Sequence, residues 1–136
     1  VCLGTDGVSS NNNLDMFAEM KLAALLAKGL SRDPGRLPAP QALRMGTVSG
    51  ARAMGFANVG LLKPGYKADL LLLDAEAENL LPRIDAAVNI VYAAQGLNVT
   101  LTMVDGEVLY RDGEFARVDA QKARAEFARC AAKLGL

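Results

Sequence analysis

The spacing of hydrophobic positions changes near residue 57. Before that point apolar side chains recur every three or four residues, after a short apolar run at residues 1–5 that predicts a buried strand. Beyond it, continuous apolar runs and strict alternation dominate. The pattern therefore predicts one strand, several helices, about three further strands and a closing helix, which is an α/β fold.

Residues that start and stop helices mark three helices in the first part. Asn13 is the predicted N-cap of the first helix, with Asp15 as an acid in its first turn, and Gly29 is the predicted stop. Pro38 favours the start of a second helix, and Thr47 is the predicted cap of a short third one. The apolar faces of these helices must pack against another layer. This part of the chain contains too few strands to form that layer.

The second part contains turn sequences that predict a sheet. "ADLLLLD", residues 68–74, follows a Pro-Gly turn and predicts a buried strand. Residues 99–115 alternate between apolar and polar on both sides of Asp105-Gly106 and turn again at Asp112-Gly113. Since Asp-Gly between alternating runs is a strong hairpin signal, we expect consecutive antiparallel strands here.

Two more helices are predicted in the second part. Residues 85–92 favour a short helix, which follows the break made by Pro82. Asp119 is the predicted cap of an amphipathic closing helix whose apolar stripe contains Ala123, Phe127, Cys130 and Leu134.

Composition and charge exclude several classes of partner. Hydrophobic residues make up 51% of the chain, which is typical of a globular protein, and 15 basic side chains balance 15 acidic ones. No basic field exists to attract nucleic acid or an anionic membrane. Because no apolar run approaches about 20 residues, we also predict no membrane span and a cytoplasmic protein.

The two cysteines lie at opposite ends of the chain. One disulfide between Cys2 and Cys130 is an open alternative, but their spacing matches no zinc-ligand pattern and no small disulfide scaffold. Free cysteine is usually buried, so we expect two buried thiols.

Candidate chemistry is concentrated in one loop. Asp6 follows the first predicted strand in a glycine-containing loop, where barrel enzymes place catalytic groups, although a lone aspartate in a loop more often caps the turn. Ser10 and Asn11 also have two interpretations: they are ordinary turn-forming residues, or their hydroxyl and amide groups contact a ligand. The chain has no histidine, which excludes Ser-His and Cys-His pairs and an imidazole zinc site.

Three stretches, taken in order, resemble the C-terminal portion of the metal-dependent amidohydrolase superfamily. They are "LGTDGVSSNNNLDMFAEMKLAALL", then "PAPQALRMGTVSGARAMG" leading into "GLLKPGYKADLLLLD", and "NIVYAAQGLNVTLTMVDGEVLYRDGEF". The branch of 5-methylthioadenosine/S-adenosylhomocysteine deaminases and related chlorohydrolases is the most similar. The Thr-Asp-Gly sequence with the following Ser-Asn-Asn is the most specific part of the likeness.

The resemblance implies a fold and a division of the chain. Residues 1–57 correspond to the last strand and helices of a (β/α)₈ barrel, residues 58–118 to part of the small β-sandwich beside it, and residues 119–136 to a C-terminal helix. The chain opens in mid-strand without methionine, and we expect it to be the C-terminal segment of a longer protein.

The resemblance also implies a reaction and site residues. Asp6 corresponds to the aspartate that approaches the catalytic metal and moves a proton from the metal-activated water to the leaving amine. Ser10 and Asn11 become candidates for contact with a purine nucleoside or related N-heterocycle, or for shaping the loop. The implied cofactor is zinc, or another divalent metal such as iron, manganese or nickel. The family's histidine ligands are absent, so we expect this chain alone to be inactive and to bind no metal.

Two alternatives remain open at this point. The chain could be a non-catalytic module that associates with itself or with a complementary chain through uncovered barrel faces, because a lone barrel strand has open edges. The parent enzyme could also be a chlorohydrolase or a guanine or pterin deaminase of the same fold.

Overall fold

The computed structural model describes residues 1–135, which form a layer of helices beside an antiparallel sheet. The α/β prediction is confirmed. The helices are α1 (Met16–Ser31), α2 (Ala39–Gly46), α3 (Val48–Ala53), α4 (Ala86–Tyr92) and α5 (Ala120–Lys133). The strands are β1 (Leu70–Leu73), β2 (Val99–Val104), β3 (Glu107–Arg111) and β4 (Glu114–Phe115), with short 3₁₀ turns at Glu78–Leu80 and Gly96–Asn98.

The buried core lies where α1, α2 and α4 meet. Its fully or nearly fully buried members are Met20, Ala24, Ala39, Ala42 and Val91. Three of the five are alanines, whose short side chains allow helix backbones to approach closely. The core therefore takes one helix, α4, from the segment between β1 and β2.

The packing of α4 can be tested with a matched pair of valines. Val91 is 0% exposed whereas Val88, on the same helix, is 42% exposed. We expect Val91→Ala to lower the free energy of unfolding by about 1–3 kcal/mol, because two buried methyl groups are lost and a cavity remains. Val88→Ala should change it by less than about 1 kcal/mol. Urea denaturation of both variants measures the difference, and equal effects would contradict a buried role for Val91.

The sheet has the order β1-β2-β3-β4, and every neighbouring pair is antiparallel. The predicted hairpin at Asp105-Gly106 is confirmed: Val104 pairs with Glu107, and both turn residues have positive φ, 50° and 83°. This backbone geometry matches the twist of the flanking strands, and Asp-Gly adopts it readily. The turn at Asp112-Gly113 joins β3 to β4, also as predicted.

A polar cluster ties the β2–β3 hairpin to the segment before β1. Lys67 Nζ donates to Asp105 Oδ2 at 2.9 Å, and the Asp105 backbone N–H donates to Asp69 Oδ1 at 2.6 Å. The hydrogen bond with Asp105 and the negative charge of its carboxylate raise the pKa of the Lys67 ammonium above its usual value. The contact therefore favours the charged form of Lys67.

The predicted strand at residues 1–5 does not form. Within residues 1–135 this segment has no strand partner, and its Leu3 backbone N–H donates instead to the Met45 carbonyl at 3.1 Å. A strand needs a neighbouring strand to satisfy its N–H and C=O groups, and the described residues supply none here.

The predicted start of α1 was wrong by two residues and its predicted end by three. Asp15, not Asn13, caps α1, and its carboxylate accepts the Phe17 N–H at 2.8 Å. The helix continues past Gly29 to Ser31 and ends at Arg32, which has a positive φ of 53°. The predicted cap Asp119 and the position of Pro38 at the start of α2 are confirmed. Thr47 precedes α3 as predicted, but its side chain makes no capping hydrogen bond. Asp85, which was not predicted as a cap, accepts the Val88 N–H at the start of α4.

The predicted burial was wrong at several places. Cys2 and Cys130 are both free and exposed. The strand β1 is only half covered, with Leu71 50% and Leu72 52% exposed. No side chain of α5 is buried, although its apolar stripe is real. General burial preferences fail here because nothing among the described residues packs over these faces. No helix in the described part of the chain has the length and apolar character needed to cross a membrane.

Candidate functional site

Asp6 lies in the loop that leads into α1 and is exposed to solvent. Its backbone has a φ of 59°, in the left-handed region that aspartate tolerates better than most residues. Its carboxylate Oδ1 accepts the N–H of the next residue, Gly7, at 2.7 Å. This contact fits the turn-capping interpretation, and it leaves the side chain at the protein surface.

The backbone after Asp6 folds into a compact turn. The N–H groups of Ser10 and Asn11 both donate to the Gly7 carbonyl, at 2.9 and 3.0 Å. The turn brings the side chain of Asn11 back towards Thr5, the residue before Asp6. Asp6 therefore lies at the surface of a short loop whose two ends, Thr5 and Asn11, are in contact.

Asn11 connects this loop to α1. Its Nδ2 donates to the Thr5 carbonyl at 2.9 Å and to Glu19 Oε1 at 3.0 Å, while its Oδ1 accepts the Asn13 N–H at 3.1 Å. Both oxygen and nitrogen of the amide are thus used within the protein, which favours the loop-shaping role. Ser10 is exposed, and its hydroxyl makes no hydrogen bond within residues 1–135.

Sequence reasoning did not predict Glu19 as part of the site. Its only sequence signal is an acidic residue in the first turn of α1, and such residues commonly only complement the helix dipole. The structure brings Asn11 and Glu19 together across eight positions of sequence.

An open cleft of about 760 Å³ lies beside the start of α1, between residues 13–18 and 93–97. Asp15 links its two sides, because its Oδ2 accepts the Gly96 N–H at 3.0 Å. Asp6, Ser10 and Asn11 do not line this cleft. This cleft is therefore separate from the predicted site residues.

The described residues do not form a metal centre by themselves. Within residues 1–135 no group of three or more histidine, cysteine, aspartate or glutamate side chains is arranged to hold an ion. A protein zinc site needs about three such ligands. A metal beside Asp6 would require ligands from outside this chain.

Comparison with known sequences decides the family. Residues 1–109 match the pattern of the amidohydrolase family. This chain belongs to that family. Because the match begins at residue 1 and ends within β3, it includes the Asp6 loop, the helices α1 to α4 and the strands β1 and β2.

Two curated amidohydrolase relatives are similar over almost the whole chain. A 5-methylthioadenosine/S-adenosylhomocysteine deaminase from Moorella thermoacetica is 50% identical over 127 residues, which is 93% of this chain and 30% of the relative. A 5'-deoxyadenosine deaminase from Methanosarcina barkeri is 47% identical over 134 residues, 98% of this chain and 31% of the relative. The chain thus spans about three tenths of the length of these relatives.

A solved adenosine deaminase structure has the same fold. The adenosine deaminase from Xanthomonas campestris with bound zinc superimposes with a TM-score of 0.93 and 34% identity, over 97% of this chain and 30% of the solved one. The arrangement of helices and sheet described above therefore also occurs within a longer protein.

Proposed function

We propose that this chain is the C-terminal part of a metal-dependent deaminase that acts on an adenosine-type nucleoside with a modified 5' position. The observation that carries the proposal is the match of more than nine tenths of the chain to enzymes named for this activity, at 47–50% identity. The similarity to the zinc-bound adenosine deaminase supports a divalent metal in the whole protein.

In this proposal Asp6 is the acid–base residue and one ligand of the metal. The exposed carboxylate at the surface of a closed loop is compatible with both roles. When bound by ligands outside this chain, the metal would supply an activated water. Asp6 would accept a proton and return it to the nitrogen of the departing amine. Ser10, with an exposed hydroxyl, stays a proposed substrate contact, and Asn11 is a weaker one because its amide is already engaged.

The exposed apolar side chains support a larger fold around this chain. Four leucines of α1 are about half exposed or more: Leu22, Leu25, Leu26 and Leu30. We infer that residues 1–57 are the last strand and helices of a (β/α)₈ barrel, that residues 58–118 belong to an adjoining β-sandwich and that residues 119–136 are a C-terminal helical segment. Residue 136 lies outside the described residues. The same leucines also favour the alternative of self-association through this face. A cytoplasmic location remains part of the proposal.

The activity is tested by ammonia release from a full-length protein that contains this chain. We expect turnover of 5'-deoxyadenosine, methylthioadenosine or S-adenosylhomocysteine, loss of activity after chelation, and recovery with Zn²⁺ or another divalent ion. The 136-residue chain alone serves as the control and should neither bind metal nor release ammonia. Full activity after complete metal removal, or no ammonia from any of the three nucleosides, would contradict the proposal.

A further inference from the structure

We propose that Asn11 and Glu19 form a positioning pair, which holds the Asp6 loop in place on α1. The inference rests on the proposed catalytic role of Asp6. It assigns to Glu19 a role in the reaction that does not involve contact with the substrate.

The contacts of Asn11 reach the backbone directly beside Asp6. Its Nδ2 is shared between the Thr5 carbonyl, at 2.9 Å, and Glu19 Oε1, at 3.0 Å. A shift of Asn11 would therefore move the peptide unit that joins Thr5 to Asp6. Because Glu19 carries a carboxylate, its bond with the amide is charge-assisted and stronger than a neutral one.

The backbone of Glu19 is held in place because it belongs to the first turn of α1. Its backbone N–H donates to the Asp15 carbonyl at 3.2 Å, inside the first capped turn. The next residue, Met20, is 4% exposed and belongs to the helical core. The Glu19 backbone is thus held by the same packing that holds the helix.

The attachment supplements the contacts of the chain before Asp6. Residues 1–5 form no strand within the described part of the chain, and Leu3 is held by one backbone hydrogen bond to Met45 and by packing against the helical core. Asp6 itself has a φ of 59°, a less common backbone conformation that its loop must hold. The Leu3 contact holds the chain before Asp6, and the Asn11–Glu19 pair connects Thr5, the residue next to Asp6, to α1.

The test uses the full-length protein and two independent measurements. We expect Glu19→Ala to lower kcat by about 10- to 100-fold with little change in KM, because a small displacement of a catalytic group is costly. Hydrogen exchange, measured by mass spectrometry without substrate, should become faster in residues 5–12. Glu19→Gln keeps an acceptor at the same place and should retain most of the kcat and slow exchange.

Matched variants make the result decisive. Glu126→Ala removes an exposed carboxylate from α5, where it pairs only locally with Arg129, and should change neither measurement. Should Glu19→Ala fail to fold, Asn11→Ser shortens the other partner and should give the same faster exchange. Unchanged exchange in the variant, with or without a loss of kcat, would overturn the positioning role. A fully active Asp6→Asn enzyme would instead overturn the proposed function, whatever the exchange shows.

Discussion

Replacement of Asp6 by asparagine in the full-length protein is expected to lower kcat by about 100- to 10,000-fold, the usual contribution of a general acid–base group. Asparagine is nearly the same size, tolerates the left-handed backbone of this position and still offers Oδ1 to the Gly7 N–H. It cannot accept and return a proton. Steady-state deamination kinetics at saturating metal measure the loss, and thermal denaturation should show an unchanged Tm.

Asp112→Asn is the matched control for this experiment. Asp112 is also an exposed aspartate with positive φ, 47°, but it lies in the turn between β3 and β4. The same chemical change there should leave kcat within about twofold, since surface substitutions away from a site are usually neutral. Equal losses in the two variants would show that Asp6 acts through folding and not through proton transfer.

Gly60→Ala is expected to destabilise the protein by about 2–5 kcal/mol. Gly60 has a φ of 85°, and a Cβ at this position would lie 2.7 Å from the Val48 Cα and 2.8 Å from its N atom. The backbone conformation costs a non-glycine residue about 1–2 kcal/mol. Overpacking costs typically about 1–3 kcal/mol more. Val48 is the first residue of α3 and is 2% exposed, so its backbone has little room to move.

Gly65→Ala separates the two causes. Gly65 has nearly the same φ, 84°, but open space where the Cβ would be. We expect a cost of only about 1–2 kcal/mol, from backbone strain alone. Urea denaturation followed by circular dichroism measures both variants. If Gly60→Ala were no more destabilising than Gly65→Ala, the close approach to Val48 would not be a constraint on the native state.

Elements determined by neighbouring residues were predictable from the sequence. The Asp105-Gly106 hairpin was found because the two residues alone specify its turn, and α4 because a short stretch with apolar residues follows the break at Pro82. The cap of α1 was misplaced because Asn13 and Asp15 are both good caps. The choice depends on a distant contact, since Asp15 also accepts the Gly96 N–H.

The strand at residues 1–5 shows the limit of local patterns. Apolar residues followed by glycine predict a strand, but a strand forms only when a neighbour supplies hydrogen bonds, and no described residue does so. Cys2 and Cys130 are exposed for a similar reason, because no described residue packs over them. Burial is a property of the surroundings, which a residue's own type does not specify.

The candidate site was predictable only in part. The position of Asp6 after an apolar run, at the start of a glycine-containing loop, indicated it as a candidate for the proposed acid–base residue. The Asn11–Glu19 contact could not be predicted, because it depends on how the loop turns and on which side of α1 faces it. Contacts of this kind become visible only when the chain is folded.

The place of α4 has a consequence for how the two layers fold. The chain leaves the sheet after β1, contributes Val91 to the helical core and then returns to form β2, which pairs with β1. β1 and β2 can pair only when the segment between them, which contains α4, brings them together. Their pairing therefore carries the entropy cost of closing a loop that spans both layers. The order of the elements therefore couples the folding of the helical layer to the folding of the sheet. A protease cut between β1 and β2 would destabilise both layers.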